Sequence, residues 1–270
     1  MAGSKSGAAA DAAIATEPLI ALLREIADGS GGLVQLRPGL SDARMDAWAA
    51  PVPEEIRALL RAVGGLRIAF GRRKDDGTFL FSDIDFDVSL NEGTHPMGGD
   101  GSWYVAAAGG PGTHRFVHLD SGGGFTYVDV DRETGAWGPV FIFWDDNDTT
   151  RLDSSLHAWL HRTAHCLRDA LRDAGQDAYA FDSAFTETWK EPHRTAPQIP
   201  TIPAAEARTS PDPAIRSAAA TLPDDGALAD LREVEGPASV IFDFPELCHF
   251  ARTHTGTLLT AAPSSPDDAY

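Results

Sequence analysis

Glu54-Glu55-Ile56-Arg57-Ala58-Leu59-Leu60-Arg61-Ala62-Val63-Gly64-Gly65-Leu66-Arg67-Ile68-Ala69-Phe70 holds two hydrophobic periods back to back. Ile56, Leu59, Leu60 and Val63 recur every three or four residues, the period of one helix face. Pro51 and Pro53 lead in, and Glu54 and Glu55 sit where carboxylates meet the positive end of a helix dipole. Gly64-Gly65 supplies a left-handed stop. From Leu66 the period falls to two, which predicts a strand over Leu66–Phe70. A helix handing the chain directly to a strand decides the class as α+β.

Downstream the period of two persists. In Phe79–Leu90, Ile84, Phe86, Val88 and Leu90 face one way and Asp83, Asp85, Asp87 and Ser89 the other. Further strands are expected at Trp103–Ala107, Arg115–Leu119, Phe125–Val130 and Val140–Trp144. Ser121-Gly122-Gly123-Gly124 closes a hairpin between the third and fourth strands of this run. Tight turns leave no room for crossover helices, so the sheet should be an antiparallel meander of about five strands. Upstream, Leu19, Leu22, Leu23 and Ile26 predict a helix from an N-cap at Thr16 to the Gly29-Ser30-Gly31-Gly32 stop. Leu156, Leu160, Leu167 and Leu171 predict another over Ser154–Ala174.

The expected organisation is a disordered leader over residues 1–15, an α+β domain over 16–190, a Pro-rich linker over 191–225 and a small β appendage over 226–270. Pro192, Pro197, Pro200, Pro203, Pro211, Pro213 and Pro223 mark the linker. In the appendage, Ser239–Phe244 and Gly256–Thr260 are expected to pair as a terminal hairpin.

The 270 residues include 40 acidic and 22 basic ones, a formal net charge of −18. That field repels phosphate backbones and anionic lipid, so nucleic acid and acidic membranes are excluded as partners. A basic protein would be attracted. Cys166 and Cys248 form no CxxC pair, and reduced, buried thiols are expected rather than a disulfide or zinc framework. Residues 1–15 carry no apolar run of a signal peptide, so a cytoplasmic location is expected.

Trp48, the Val52–Leu66 helix and turn, and Val117-His118-Leu119-Asp120-Ser121-Gly122-Gly123-Gly124-Phe125-Thr126-Tyr127-Val128-Asp129 together resemble the signatures of the SUKH superfamily. Gly138–Asp145 and the helix with Leu156, Trp159 and Leu160 resemble its closing strand and helix. The resemblance covers roughly 125 residues. It implies a binding fold without a catalytic site. The superfamily includes bacterial immunity proteins that neutralise secreted toxins and Smi/Knr-type fungal cell-wall assembly regulators.

Several constellations bear on function. Asp83, Asp85 and Asp87 share one strand face and form an acidic docking strip; Asp145 and Asp146 extend it, and Trp137, in a turn between Gly135 and Gly138, is a candidate anchor. His114, His118 and Asp120 share a strand face, and His157, His161 and His165 stand one turn apart on a helix. The first set has no HExxH or similar helical spacing; histidines four apart in the second could bind zinc, but they lie beside the buried leucine stripe, and solvated or rim positions explain them better. Asp145-Asp146-Asn147-Asp148 lacks the Gly and distal Glu of a calcium loop, and capping of the next helix accounts for it. Ser121 precedes a strand rather than a helix, unlike a nucleophile elbow. The expectation is therefore a non-catalytic protein-binding module with no metal and no cofactor, and with its oligomeric state open. Its partner would be a basic toxin domain. The alternatives are a regulatory scaffold recruiting cellular enzymes and a metal-dependent hydrolase built on the histidines.

Overall fold

The computed structural model describes residues 5–48, 51–71, 77–87, 114–119, 124–130, 135–143, 148–244, 248–253 and 257–263. The chain divides into two compact units, each made of two stretches: residues 1–87 with 157–191, and residues 88–156 with 192–270.

In the first unit, α1 (Lys5–Gly29) leads to β1 (Val34–Arg37), α2 (Asp42–Asp46), α3 (Glu54–Ala62), β2 (Gly65–Phe70) and β3 (Leu80–Asp85). β1, β2 and β3 pair antiparallel in that order, with Leu36 opposite Leu66 and Leu66 opposite Ile84. Cross-strand partners share a face, so Leu36, Leu66 and Ile84 line the apolar side. Leu19, Leu23, Ile26, Leu59 and Leu60 are buried on the helices, and α1 packs on α3. Each such side chain contributes roughly 1.5–3 kcal/mol on burial. The expected helix and strand around Gly65 both form. Their glycines work by close approach rather than as a left-handed helix stop: the residue after α3, Val63, is extended. A Cβ on Gly64 would lie 2.1 Å from the Pro38 carbonyl oxygen, and one on Gly65, at φ +152°, 2.2 Å from that of Ile84.

α1 begins at Lys5, well before Thr16. The stretch read as a disordered leader is rich in alanine, the strongest helix former, and Thr16 is a buried residue within the helix rather than its cap. Arg57 and Arg61 on α3 tie α2 to α3. Arg57 reaches Asp42 at 3.3 Å and also Asp46; Arg61 reaches Asp42 at 2.8 Å and Glu54 at 2.6 Å. The unit is completed by α4 (Leu156–Ala174), which matches its expected span but for the first two residues, and α5 (Ala178–Trp189), capped by Asp177. The Trp189 indole donates to the Thr163 hydroxyl at 2.9 Å.

The second unit holds two sheets. The first runs β4 (His114–Leu119), β5 (Phe125–Val130), β6 (Trp137–Phe143) and β7 (Asp148–Asp153), and ends on β10 (Ala238–Ile241), all antiparallel. The second has the order β11 (Cys248–Thr253), β12 (Leu258–Pro263), β9 (Ala227–Asp230) and β8 (Ile202–Pro203). Phe125, Tyr127, Phe141 and Phe143 from the first sheet share one buried cluster with Ala229, Leu259 and Ala261 from the second and with Leu231 just after β9. These alternate residues come from facing sides, so the two sheets form a sandwich. Phe125 and Phe143 stand 5.1 Å apart between centroids, and Tyr127 stacks on Phe141 at 5.7 Å. On the outer side of the second sheet, α7 (Ala204–Ala207) and α8 (Pro213–Ala219) cover Leu228 and Leu258. The short α6 (Glu191–Thr195) follows α5.

The class is α+β with mostly antiparallel strands, as expected, but the strands far exceed the expected five. Residues 191–225 are not a bare linker. Pro203 precedes the first turn of α7 and Pro213 opens α8, where a fixed φ and a missing N–H favour a helix start. The expected terminal hairpin does not form either. β10 pairs with β7, while β12 pairs with β11 and β9. β10 thus completes the first sheet, and β9, β11 and β12 supply half of the sandwich.

Candidate functional site

Asp83, Asp85 and Asp87 lie along one side of β3 and its following turn, separated by buried Ile84 and Phe86, as the alternation predicts. Each also meets an arginine. Asp83 is 3.3 Å from Arg67 and 3.8 Å from Arg37, Asp85 is 2.9 Å from Arg37, and Asp87 is 2.6 Å from Arg44. Arg67 also lies over the Phe81 ring, 4.4 Å from its centroid. Asp85 accepts the Asp87 backbone N–H at 2.9 Å. The strip is therefore a ladder of alternating charge, three carboxylates against three guanidiniums.

Trp137 is half-buried at the start of β6, opposite Val130, in the other unit from the aspartates. Asp145 and Asp146 lie outside the described residues, as do Trp103, Tyr104, Asp120, Ser121 and Trp144. Asp148 begins β7, so the segment after the acidic run is a strand rather than a capped helix. The register shifts between Phe116 and His118, leaving His114 opposite Asp129 and His118 opposite Thr126.

One feature with room for a ligand was not visible in the sequence. A cleft of about 570 Å³ in the second unit is lined by Asp212, Asp230, Arg232, Glu233 and Val234. β9 delivers Asp230, and the loop behind it carries Arg232, Glu233 and Val234. Asp212 is the N-cap of α8 and accepts the Ala214 N–H at 2.7 Å. The Arg232 guanidinium bridges the two aspartates, reaching Asp212 at 2.6 Å and Asp230 at 2.6 Å. It holds both carboxyls below the usual carboxylate range and is itself pushed up by them. Glu233 also lines the cleft, which therefore carries three carboxylates and one guanidinium.

The loop is fixed from behind. Arg151 on β7 is buried, only 8% exposed. It donates to the Leu231 carbonyl at 3.3 Å, to the Gly236 carbonyl at 2.8 and 3.2 Å, and to the Val234 carbonyl. Burial pushes its pKa below the ordinary arginine value; arginine starts so high that the charge remains. A fixed polar loop carrying surplus carboxylates suits a cationic side chain, which it can receive by charge-assisted hydrogen bonds.

Burial pushes the Cys166 thiol up, away from the nucleophilic thiolate. Among the described residues no group of three or more His, Cys, Asp or Glu gathers to hold a metal ion, and no helix is long and apolar enough to cross a membrane. Comparison of the chain with protein-family models, with curated proteins and with solved structures finds no match.

Proposed function

We propose that the chain is a non-catalytic protein-binding module of the immunity type, that its partner is a basic toxin domain, and that the second unit carries the encounter surface. The observation behind this reading is the division of charge. Residues of the first unit number 14 basic and 19 acidic, a net of −5; those of the second number 8 basic and 21 acidic, a net of −13. A surplus on one unit steers a basic partner toward it and raises the association rate. The cleft sets Asp212, Asp230 and Glu233 against the one guanidinium of Arg232 and so has carboxylate to spare for an incoming lysine or arginine, whereas the three β3 aspartates meet three arginines. The resemblance to a superfamily of binding proteins points the same way.

The test is affinity capture on the full chain at low and at high salt, followed by association kinetics with the captured protein. One stoichiometric basic protein, lost at high salt, is expected. Its association should slow more in the D230N/E233Q variant than in D83N/D85N. Several substoichiometric partners with salt-independent binding would replace this reading with that of a regulatory scaffold. Equal kinetics in both variants would remove the second unit from the encounter.

A further inference from the structure

α4 carries His157, His161 and His165 one turn apart, beside the buried stripe of Leu156, Leu160 and Leu167. The second and third are drawn together. The ring centroids of His161 and His165 are 4.4 Å apart, against 6.5 Å for His157 and His161. The two Nε2 atoms converge to 3.4 Å. Two imidazole nitrogens bound at about 2.0–2.1 Å to one tetrahedral ion stand roughly 3.3–3.4 Å apart, so this separation is that of a chelating pair.

We infer that His161 and His165 form a two-imidazole site for a divalent ion of the zinc, nickel or copper class, with water in the remaining positions. Imidazole nitrogens suit these ions, whereas magnesium and calcium take oxygen ligands. His161 is exposed, so an ion reaches the pair from solvent. The α-helix sets the spacing, because residues four apart are neighbours on its surface.

One group opposes the ion. The Arg168 guanidinium lies 2.7 Å from His165 Nδ1, and Asp169 is 3.8 Å from Arg168. With Nδ1 accepting from Arg168, the His165 proton sits on Nε2, directed at His161. To bind the ion, His165 exchanges that proton for one on Nδ1, and Arg168 turns away toward Asp169. Arg168 is half-exposed, which makes the turn inexpensive. It therefore weakens the site without closing it. This site is independent of the partner reading above, since it lies on the first unit and needs no partner protein.

The test is a zinc titration of the full chain by calorimetry, with cobalt as a spectroscopic probe for tetrahedral nitrogen ligation. One ion should bind in a manner that H161A and H165A each weaken at least about tenfold. H157A should leave it unchanged, and R168A should tighten it. Circular dichroism confirms that the helix-surface variants stay folded. Zinc and cobalt titrations of the parent that match those of the H161A/H165A double variant overturn the site, as does loss of binding in H157A equal to that in H161A.

Discussion

Both units bring acidic residues together, but the two groups end up in different company. In the first unit Asp83, Asp85 and Asp87 stand against Arg37, Arg67 and Arg44, so a conspicuous acidic strip becomes a balanced ladder. In the second, Asp212 and Asp230 share Arg232, and Glu233 lines the same open cleft. The alternation of a strand fixes which face a carboxylate takes. The neighbouring strand, distant in sequence, decides what that carboxylate faces. A charge motif is thus a statement about a surface only after the pairing register is known.

The largest expected break in this comparison comes from a chain ending at residue 190. If the downstream residues were an appendage, everything before them would stay folded. The sandwich predicts otherwise: Phe125, Tyr127, Phe141 and Phe143 lose the facing sheet. The expected outcome is loss of protection from hydrogen exchange across β4–β7, with dye binding to exposed apolar surface. Native-like protection there would refute the sandwich.

Next in size is Arg151→Met, which keeps most of the side-chain volume but leaves the carbonyls of Leu231, Val234 and Gly236 without their buried donor. The expected cost is about 2–4 kcal/mol by urea denaturation, with faster exchange in residues 231–236. A cost below about 1 kcal/mol would mean that the loop holds itself.

Acid should act through the paired carboxylates. Asp212 and Asp230 have pKa values depressed in the folded state, chiefly by hydrogen bonds from Arg232. A depressed folded value contributes stability that is fully present above the unfolded pKa, about 3.9, and is lost as pH falls through the lower folded value. Unfolding midpoints should therefore drop below about pH 4, and D230N should flatten that drop. An unchanged acid slope in D230N would assign the effect to Asp42, which Arg61 depresses in the first unit.

The smallest effect is expected for Asp83→Asn. This pair is exposed, with 46% of the Asp83 side chain accessible, and such pairs contribute about 0–1 kcal/mol. A thermal scan should barely move, and a loss beyond that range would make the ladder a structural girder.

What the sequence disclosed and what it concealed follow from where polarity was buried. β5 was legible in full, because Phe125–Val130 is a β-branched and aromatic run bounded by glycine. The helix at Glu54–Ala62 was legible for its clean stripe. β7 was not: its buried Thr149, Thr150 and Arg151 are polar, so no apolar alternation announces it. α7 and α8 were hidden because their buried residues are mostly alanines among prolines, which read as linker composition. The cleft was invisible for the same reason. Its residues lie on segments whose pairing partners are far off in the chain, and no local spacing joins Asp212 to Arg232.

The interleaving of the two units has a consequence for the chain as it leaves the ribosome. The first unit can close once residue 191 has emerged, because all its segments are then present. The first four strands of the second unit emerge earlier, yet must wait for β9 and β12 to cover Phe125, Tyr127, Phe141 and Phe143. During that interval the nascent chain presents an aromatic sheet face to solvent. Translation speed through residues 192–261, and any chaperone that binds the waiting face, then govern how much of this protein reaches its folded state.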